Sequence, residues 1–249
     1  VVNHNKVNNI MDKEKLEKLG FITAKALREK LKDTPEPRNL FGGWLWDNDA
    51  CIIESGDNWN TAIFALALSC SIAGSGTMAG WRGEEPRKVF YMSDQSSDKE
   101  EFLRFSADMC RKTECVPNLV MENLTVFSGI DASLLDTHTQ NEFIRFISEQ
   151  KFDVVVLDDV HNLFDYPGHG GNLYRWWMDI TRFLVELRRD ATVILTYSPI
   201  EGVCDNDYHK TSIDSCLQID NNKGMVDLTF TKVRMLKSKE AHGSRTVEI

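Results

Sequence analysis

Five short β-prone runs separated by stretches of helical period constrain this 249-residue chain more than any other feature. The runs fall at 50–54 (AlaCysIleIleGlu), 88–93 (LysValPheTyrMetSer), 124–127 (LeuThrValPhe), 153–158 (AspValValValLeuAsp) and 192–197 (ThrValIleLeuThrTyr). Helical periodicity fills the gaps at about 61–74, 98–112, 140–150 and 172–189. Strands alternating with helices in this way build a mostly parallel central sheet covered by helices on both faces. The expected class is therefore α/β, doubly wound. Three further β-prone runs at 215–220, 225–231 and 244–248 are separated by AsnAsnLysGly and LysSerLysGlu, and read as antiparallel hairpins that extend the sheet at one edge. At the other end of the chain, residues 1–10 are polar and Asn-rich. Apolar residues then recur at helical spacing over 11–33 until ThrProGluPro at 34–37. The organisation that follows is a polar tip and helical extension over 1–37 and one α/β domain over 38–249.

A chain of this length that is 42% hydrophobic and 27% charged buries one substantial core. Its formal charge of −9 and pI near 5.2 argue against broad electrostatic adhesion to nucleic acid. Cys51, Cys70, Cys110, Cys115, Cys204 and Cys216 show neither CxxC nor Cys/His zinc spacing. Several lie in apolar segments, which suits a reducing compartment. No apolar run reaches the ~18 residues of a membrane span, and the polar start lacks a signal-peptide core. The expected location is the cytoplasm.

Residues 50–66 have the outline of a strand, a phosphate loop and a helix. A working loop reads G-x-x-x-x-G-K-[ST]: its backbone N–H groups cradle the phosphates, its lysine meets the β/γ oxygens and its hydroxyl meets magnesium. Thr61 keeps the hydroxyl, but Trp59 stands at the glycine position and Asn60 at the lysine position. Asn60 offers no cation, and Asp57 adds a negative charge instead. An indole also disfavours the positive φ that glycine permits. A loop of another shape is expected, with the Trp59 side chain either folded over the phosphate site or exposed. No firmly bound cofactor is expected, and Mg-ATP binding should be weak or absent.

Four features occur in one order: this loop, an acidic-polar pair after the second strand, a double Asp ending a long apolar strand, and a Lys-x-Arg in the terminal hairpins. With GlyGlyTrpLeuTrp (42–46) ahead of the loop, an Ala/Gly-rich stretch over 71–81 and ValPheTyrMetSerAspGlnSerSer (89–97) followed by Arg104, the segment from Phe41 resembles the RecA-like P-loop ATPases of the RepA, RadA and DnaB type. ValValValLeuAspAsp (154–159), ThrTyrSerPro (196–199) and ThrLysValArg (231–234) carry the resemblance over about 38–249.

The resemblance implies a set of site residues. The glutamate that polarises the attacking water corresponds to Gln95 or, with a shift of one residue, to Asp94. A glutamine holds water but accepts no proton, so a general-base contribution of about 10²–10⁴ would be lost. Asp158 corresponds to the aspartate that holds magnesium through water, opposite Thr61, with Asp159 beside it at the strand end where α/β ligands bind. Lys232 and Arg234 correspond to a Lys-x-Arg that reaches the γ-phosphate of a neighbouring subunit. A solvated hairpin face with Lys237 and Lys239 is the plain alternative. Ser55, Gly56, Asp57, Asn58, Trp59, Asn60 and Thr61 would line the nucleotide, with Ser198 at a γ-phosphate-sensor position.

Other patterns weigh less. His161, Asp165 and His169 have helical spacing, but Pro167 and three glycines break any helix there, so a loop is favoured over a metal site. Trp176 and Trp177 read as one buried and one contact-surface residue of a helix, and Trp44, Trp46 and Trp81 read as core. The reading that results is a RecA-like ATPase homologue with a degenerate nucleotide site, catalytically impaired. It would act as a binding or assembly module in DNA replication, repair or mobile-element maintenance, as a homo-oligomer or in a mixed assembly with an active ATPase, without a membrane. Two rivals stand beside it. One is a divergent active helicase-type ATPase in which Lys88, or Lys232 of a neighbour, compensates. The other is a nucleotide-independent DNA-binding accessory with a basic surface from 232–239, Arg175, Arg182, Arg188 and Arg189.

Overall fold

The computed structural model describes residues 23–32, 36–56, 58–93, 99–128, 133–168, 171–199, 213–222, 225–232 and 242–247. At 27, 30, 31, 58–60, 99–103, 105, 221, 222, 225, 226, 230–232 and 242–247 it describes the backbone alone. The chain divides into two compact units, Val1–Glu36 and Pro37–Ile249. In the first, helix α1 (Ala24–Lys32) starts where the Thr23 hydroxyl accepts a bond from the Ala26 N–H at 3.1 Å.

The second unit is built on β3 (Ala50–Ser55), β6 (Val89–Ser93), β7 (Leu124–Ser128), β8 (Val154–Asp158), β9 (Thr192–Tyr197), β10 (Ser215–Asn222), β11 (Met225–Lys232) and β12 (His242–Val247). These form one sheet in the order β12-β11-β10-β3-β9-β8-β6-β7. The run from β10 to β7 is parallel, and β11 and β12 pair antiparallel beyond it. The C-terminal hairpins therefore extend one edge as expected, with one refinement: β10 is also a parallel partner of β3. Two small antiparallel pairs lie outside the sheet, β1 (Asn39–Phe41) with β2 (Leu45–Trp46) and β4 (Thr77–Met78) with β5 (Trp81–Arg82).

Strand residues alternate between two cores. Cys51, Ile53, Val89, Tyr91, Val154, Val156 and Ile194 face α2 (Asn58–Ala73), α3 (Lys99–Lys112) and α4 (Pro117–Asn123). Ile52, Phe90, Met92, Val155, Leu157, Val193 and Leu195 face α5 (Thr137–Gln150), α6 (Val160–Leu163) and α7 (Leu173–Leu187). Burial on both faces explains why these strands read as continuous apolar runs. Helix α2 is apolar around its whole circumference from Phe64 onward, and the hydroxyls of Ser69 and Ser71 are satisfied by the carbonyls of Ala65 and Ala67, four residues back. Helix α4 lacked a sequence expectation; Pro117 opens it, where a fixed φ and a missing N–H cost nothing.

The connections position the site. After β3 the chain leaves through α2 on one face, and after β8 it leaves through α6 and α7 on the other, with β9 lying between the two strands. Connections diverging to opposite faces open a crevice at the carboxyl ends of the strands, the usual ligand position in open α/β sheets.

Candidate functional site

Ser55 ends β3, Ser93 ends β6 and Asp158 ends β8; Ser198 follows β9, and Thr61 lies in the first turn of α2. All five side chains are buried. Ser93 and Asp158 are register partners, so β6 and β8 end level with one another.

Asp158 is the best-defined group. Its Oδ1 accepts from the Thr196 hydroxyl at 2.6 Å and its Oδ2 from the Tyr91 hydroxyl at 2.5 Å, and the Ser93 side chain adds a further bond. Burial raises its pKa above the usual carboxylate range; the hydroxyls of Thr196, Tyr91 and Ser93 pull it back, and Asp159 pushes it up again. Burial also raises the Tyr91 phenol, with the charge of Asp158 adding to the shift. Period-2 alternation places Tyr91, Ser93, Asp158 and Thr196 on one side of the sheet. The Thr196 hydroxyl accepts in turn from the Asp159 N–H at 2.7 Å. Asp159 itself turns away in a left-handed conformation (φ 68°, ψ 78°), where its carboxylate accepts from both nitrogens of Asn162 and caps α6. The two aspartates of the pair thus do different work.

The connection from β3 to α2 is short. Only Gly56 and Asp57 lie between Ser55, the last strand residue, and Asn58, the first helical one. Asn58, Trp59 and Asn60 give their backbone to the first turn of α2. Gly56 is exposed, its φ is outside the left-handed region, and a Cβ built on it would meet nothing within 4 Å among the described residues. Its backbone conformation and its described surroundings do not require glycine.

Asp57, Asp94, Gln95 and Arg234 lie outside the described residues, as does the side chain of Lys232. Both postures considered for the Trp59 side chain are likewise outside them. The backbone of Lys232 pairs with Ser215, which lies opposite Cys51, four residues before Ser55 on β3. At ~3.3 Å per residue this places Lys232 about 13 Å back along the sheet from the crevice of its own chain. Lys88 is also at the far end: its N–H donates to Asp153 at 3.1 Å, ahead of β6 and β8. Within one chain, neither stands where the loop lysine would.

Loop 158–168 is packed rather than free over its described part. His161 stacks on Trp176 at 5.8 Å with an interplanar angle of 1°, and meets Tyr166 and Tyr197 at 4.9 Å each. Trp176 and Trp177 are both buried, which corrects the expectation that one of them faces a contact surface; Trp177 packs on Tyr197 at 5.4 Å. Among the described residues no group of three His, Cys, Asp or Glu side chains has metal-binding geometry, and His169 is outside them. Arg175 and Arg182 both approach Asp179, Arg189 pairs with Glu186 and Arg188 with Asp214. Each arginine considered for a basic surface therefore stands beside a carboxylate. The sequence reading also passed over Tyr91 and Thr196. Tyr91 lies two residues and Thr196 one residue before the end of an apolar strand, on the same face as Asp158, and that placement was the available signal.

No protein-family model and no curated relative matches the sequence. Solved structures do match. A KaiC-like protein from the hyperthermophilic archaeon Pyrococcus horikoshii superposes with a TM-score of 0.56 over 84% of this chain and 89% of its own, at 10% identity. The fold is RecA-like. The mostly parallel sheet with helices on both faces and antiparallel C-terminal strands agrees with that assignment. Among the described residues no helix is long and apolar enough to cross a membrane.

Proposed function

We propose that this chain is a RecA-like ATPase homologue whose nucleotide site is degenerate, and that it serves as a binding or assembly module in DNA replication, repair or mobile-element maintenance. The observation that carries the reading is the connection between β3 and α2. Two residues join strand to helix, Gly56 does not use the freedom of glycine, and Asn60 occupies the lysine position in the first helical turn. A phosphate cradle needs successive backbone N–H groups wrapped around the anion and a cation on the β/γ oxygens. Two residues between strand and helix leave little chain to wrap an anion, and an amide carries no charge.

The magnesium side points the same way. Asp158 and Thr61 are the residues that would hold the ion, yet both Asp158 oxygens already accept short bonds from the Tyr91 and Thr196 hydroxyls, and burial raises the pKa of the carboxyl. A hard divalent cation seeks ionised oxygen ligands that keep water around it. The residues present do not fit a magnesium nucleotide.

In this reading the retained fold supplies surfaces for a second copy or an active relative. Titration calorimetry with Mg-ATP tests the site: heats indistinguishable from dilution are expected. Micromolar affinity, or turnover abolished by Asp158→Ala, would instead support the divergent ATPase. Sedimentation tests the assembly role, which a strict monomer at high concentration, alone and mixed with an active RecA-like ATPase, would count against.

A further inference from the structure

Three thiols meet on the face of the sheet covered by α2, α3 and α4. Cys70 lies in the last turn of α2, Cys110 in the last turn of α3 and Cys115 in the segment leading to α4, and all three are buried. A backbone clamp brings them together: Thr77 N–H donates to Thr113 O at 2.6 Å and Val116 N–H to Gly74 O at 3.1 Å, tying the end of α2 to the end of α3. Gly74 and Gly76 make the approach possible, since a Cβ at either would come within 2.8 Å of the Cys115 Cβ. Inside the clamp the Cys110 thiol interacts with those of Cys70 and Cys115, while the Thr113 hydroxyl lies 2.9 Å from the Cys115 sulfur. By contrast, Cys51 and Cys216 lie on opposite faces of the sheet.

The three thiols are not equivalent. Interaction with Cys70 lowers Cys110 to about 6 against the effect of burial, with Cys115 adding to the lowering. Cys70 is pushed up, first by Cys110 and then by burial, and Cys115 is raised to about 11, chiefly by burial. The cluster thus favours one thiolate, at Cys110, facing neutral thiols. A thiolate is the species that reacts with oxidants, and a neighbouring thiol can resolve its product.

We propose that Cys110 and Cys70 form an oxidisable pair that closes to a disulfide on reaction with a hydroperoxide, linking the ends of α2 and α3. The Cys110 sulfur attacks one peroxide oxygen and the O–O bond breaks. The released oxygen leaves as an alcohol, or as water from hydrogen peroxide, with the proton the thiol gave up. Cys110 is now a sulfenic acid, oxidised by two electrons. The Cys70 sulfur then attacks the Cys110 sulfur, the S–O bond breaks, and hydroxide leaves as water with the Cys70 proton. Two thiols and one hydroperoxide become one disulfide, one alcohol and one water. The bond joins the far end of the helix that begins at the degenerate loop to the helix that follows β6.

The test is hydrogen peroxide treatment of the folded full chain, followed by thiol titration and non-reducing peptide mapping, with circular dichroism to verify that the fold persists. The expected result is loss of two thiols, a linked peptide pair containing Cys70 and Cys110, and full reversal by dithiothreitol. Cys110→Ser should abolish the link and Cys115→Ser should retain it; if the first variant fails to fold, the wild-type map decides alone. A thiol count unchanged by treatment, a Cys110 sulfenic acid trapped without a link, or a Cys110–Cys115 link would each overturn the proposal.

Discussion

The Tyr91 hydroxyl reaches diagonally across the sheet to donate a 2.5 Å hydrogen bond to Asp158 on the neighbouring strand. Removing the hydroxyl while keeping the ring, as in Tyr91→Phe, deprives a buried carboxyl of one of its donors. A hydrogen bond to such a group contributes about 2 kcal/mol, so urea denaturation at neutral pH should show a loss of that order with an unchanged slope. The folded pKa of Asp158 is already raised above the unfolded value, so the fold prefers the protonated form. Its contribution to stability is present below the unfolded pKa of about 3.9 and is lost as pH rises through the folded one. Asp158→Asn, always neutral, should therefore gain on the wild type as pH increases. A difference between the two that stays flat with pH would sink this account.

The half-buried Arg188 and the buried Asp214 form a second relationship, at the opposite end of the sheet. The guanidinium meets the carboxylate at 2.5 Å, the carboxylate also accepts the Ala50 N–H at 2.9 Å, and Arg188 Nε donates to Asn48 O at 2.8 Å. The pair pins the end of α7 and the start of β10 to β3. Arg188→Met would leave the buried Asp214 without its half-buried cation, at a cost below the ~3–5 kcal/mol of a fully buried pair. The double variant Arg188→Met, Asp214→Asn should recover part of that loss. Equal stabilities for the single and double variants would show that the stranded charge is not the cause.

Much of this fold was legible because its strands are buried on both faces. ValValValLeu at 154–157 and ThrValIleLeu at 192–195 are apolar at every or nearly every position, and such runs have no other home than the middle of a covered sheet. The parallel pairing of β10 with β3 was less accessible, since its partner is more than 150 residues away and local pattern is silent on long-range pairing. The absence of a cation at position 60 could be read from Asn60 itself, because a missing charge is a property of one residue. The shell around Asp158 could not, because Tyr91 and Thr196 meet it only through strand register and diagonal reach. The burial of both Trp176 and Trp177 likewise depends on His161 and Tyr197 arriving from two other elements.

Asp136 caps α5, and its carboxylate accepts the Thr139 N–H at 2.8 Å and the Thr139 hydroxyl at 2.9 Å. The bond from the Thr139 N–H, aided by the hydroxyl, holds its pKa below the ordinary value. A depressed folded pKa gives the opposite sign from Asp158: the contribution is present above the unfolded value of about 3.9 and is lost as pH falls through the folded one. Asp136→Asn preserves a capping oxygen and should lose mainly the acid-side pH dependence, whereas Asp136→Ala should lower the melting temperature at neutral pH as well. Thermal scans of the three proteins over the acid range check this, and identical profiles for wild type and Asp136→Asn would count against it.

Two glycines of the sheet domain meet opposite surroundings. Gly56, in the connection between β3 and α2, has no left-handed φ and, among the described residues, no atom within 4 Å of a built Cβ. Gly56→Ala should be tolerated, with a gain of about 0.4–1 kcal/mol from a less flexible unfolded chain. Gly76 is the opposite case, because its Cβ would fall 2.6 Å from the Thr113 carbonyl oxygen and 2.8 Å from the Cys115 Cβ. Backbone cannot move aside cheaply where Thr77 N–H already bonds that same carbonyl at 2.6 Å, so Gly76→Ala should cost about 1–3 kcal/mol through overpacking. Denaturation midpoints of the two variants measured side by side decide the matter. If Gly56→Ala loses as much stability as Gly76→Ala, the connection between β3 and α2 still needs its glycine, and the case for a degenerate loop loses its structural support.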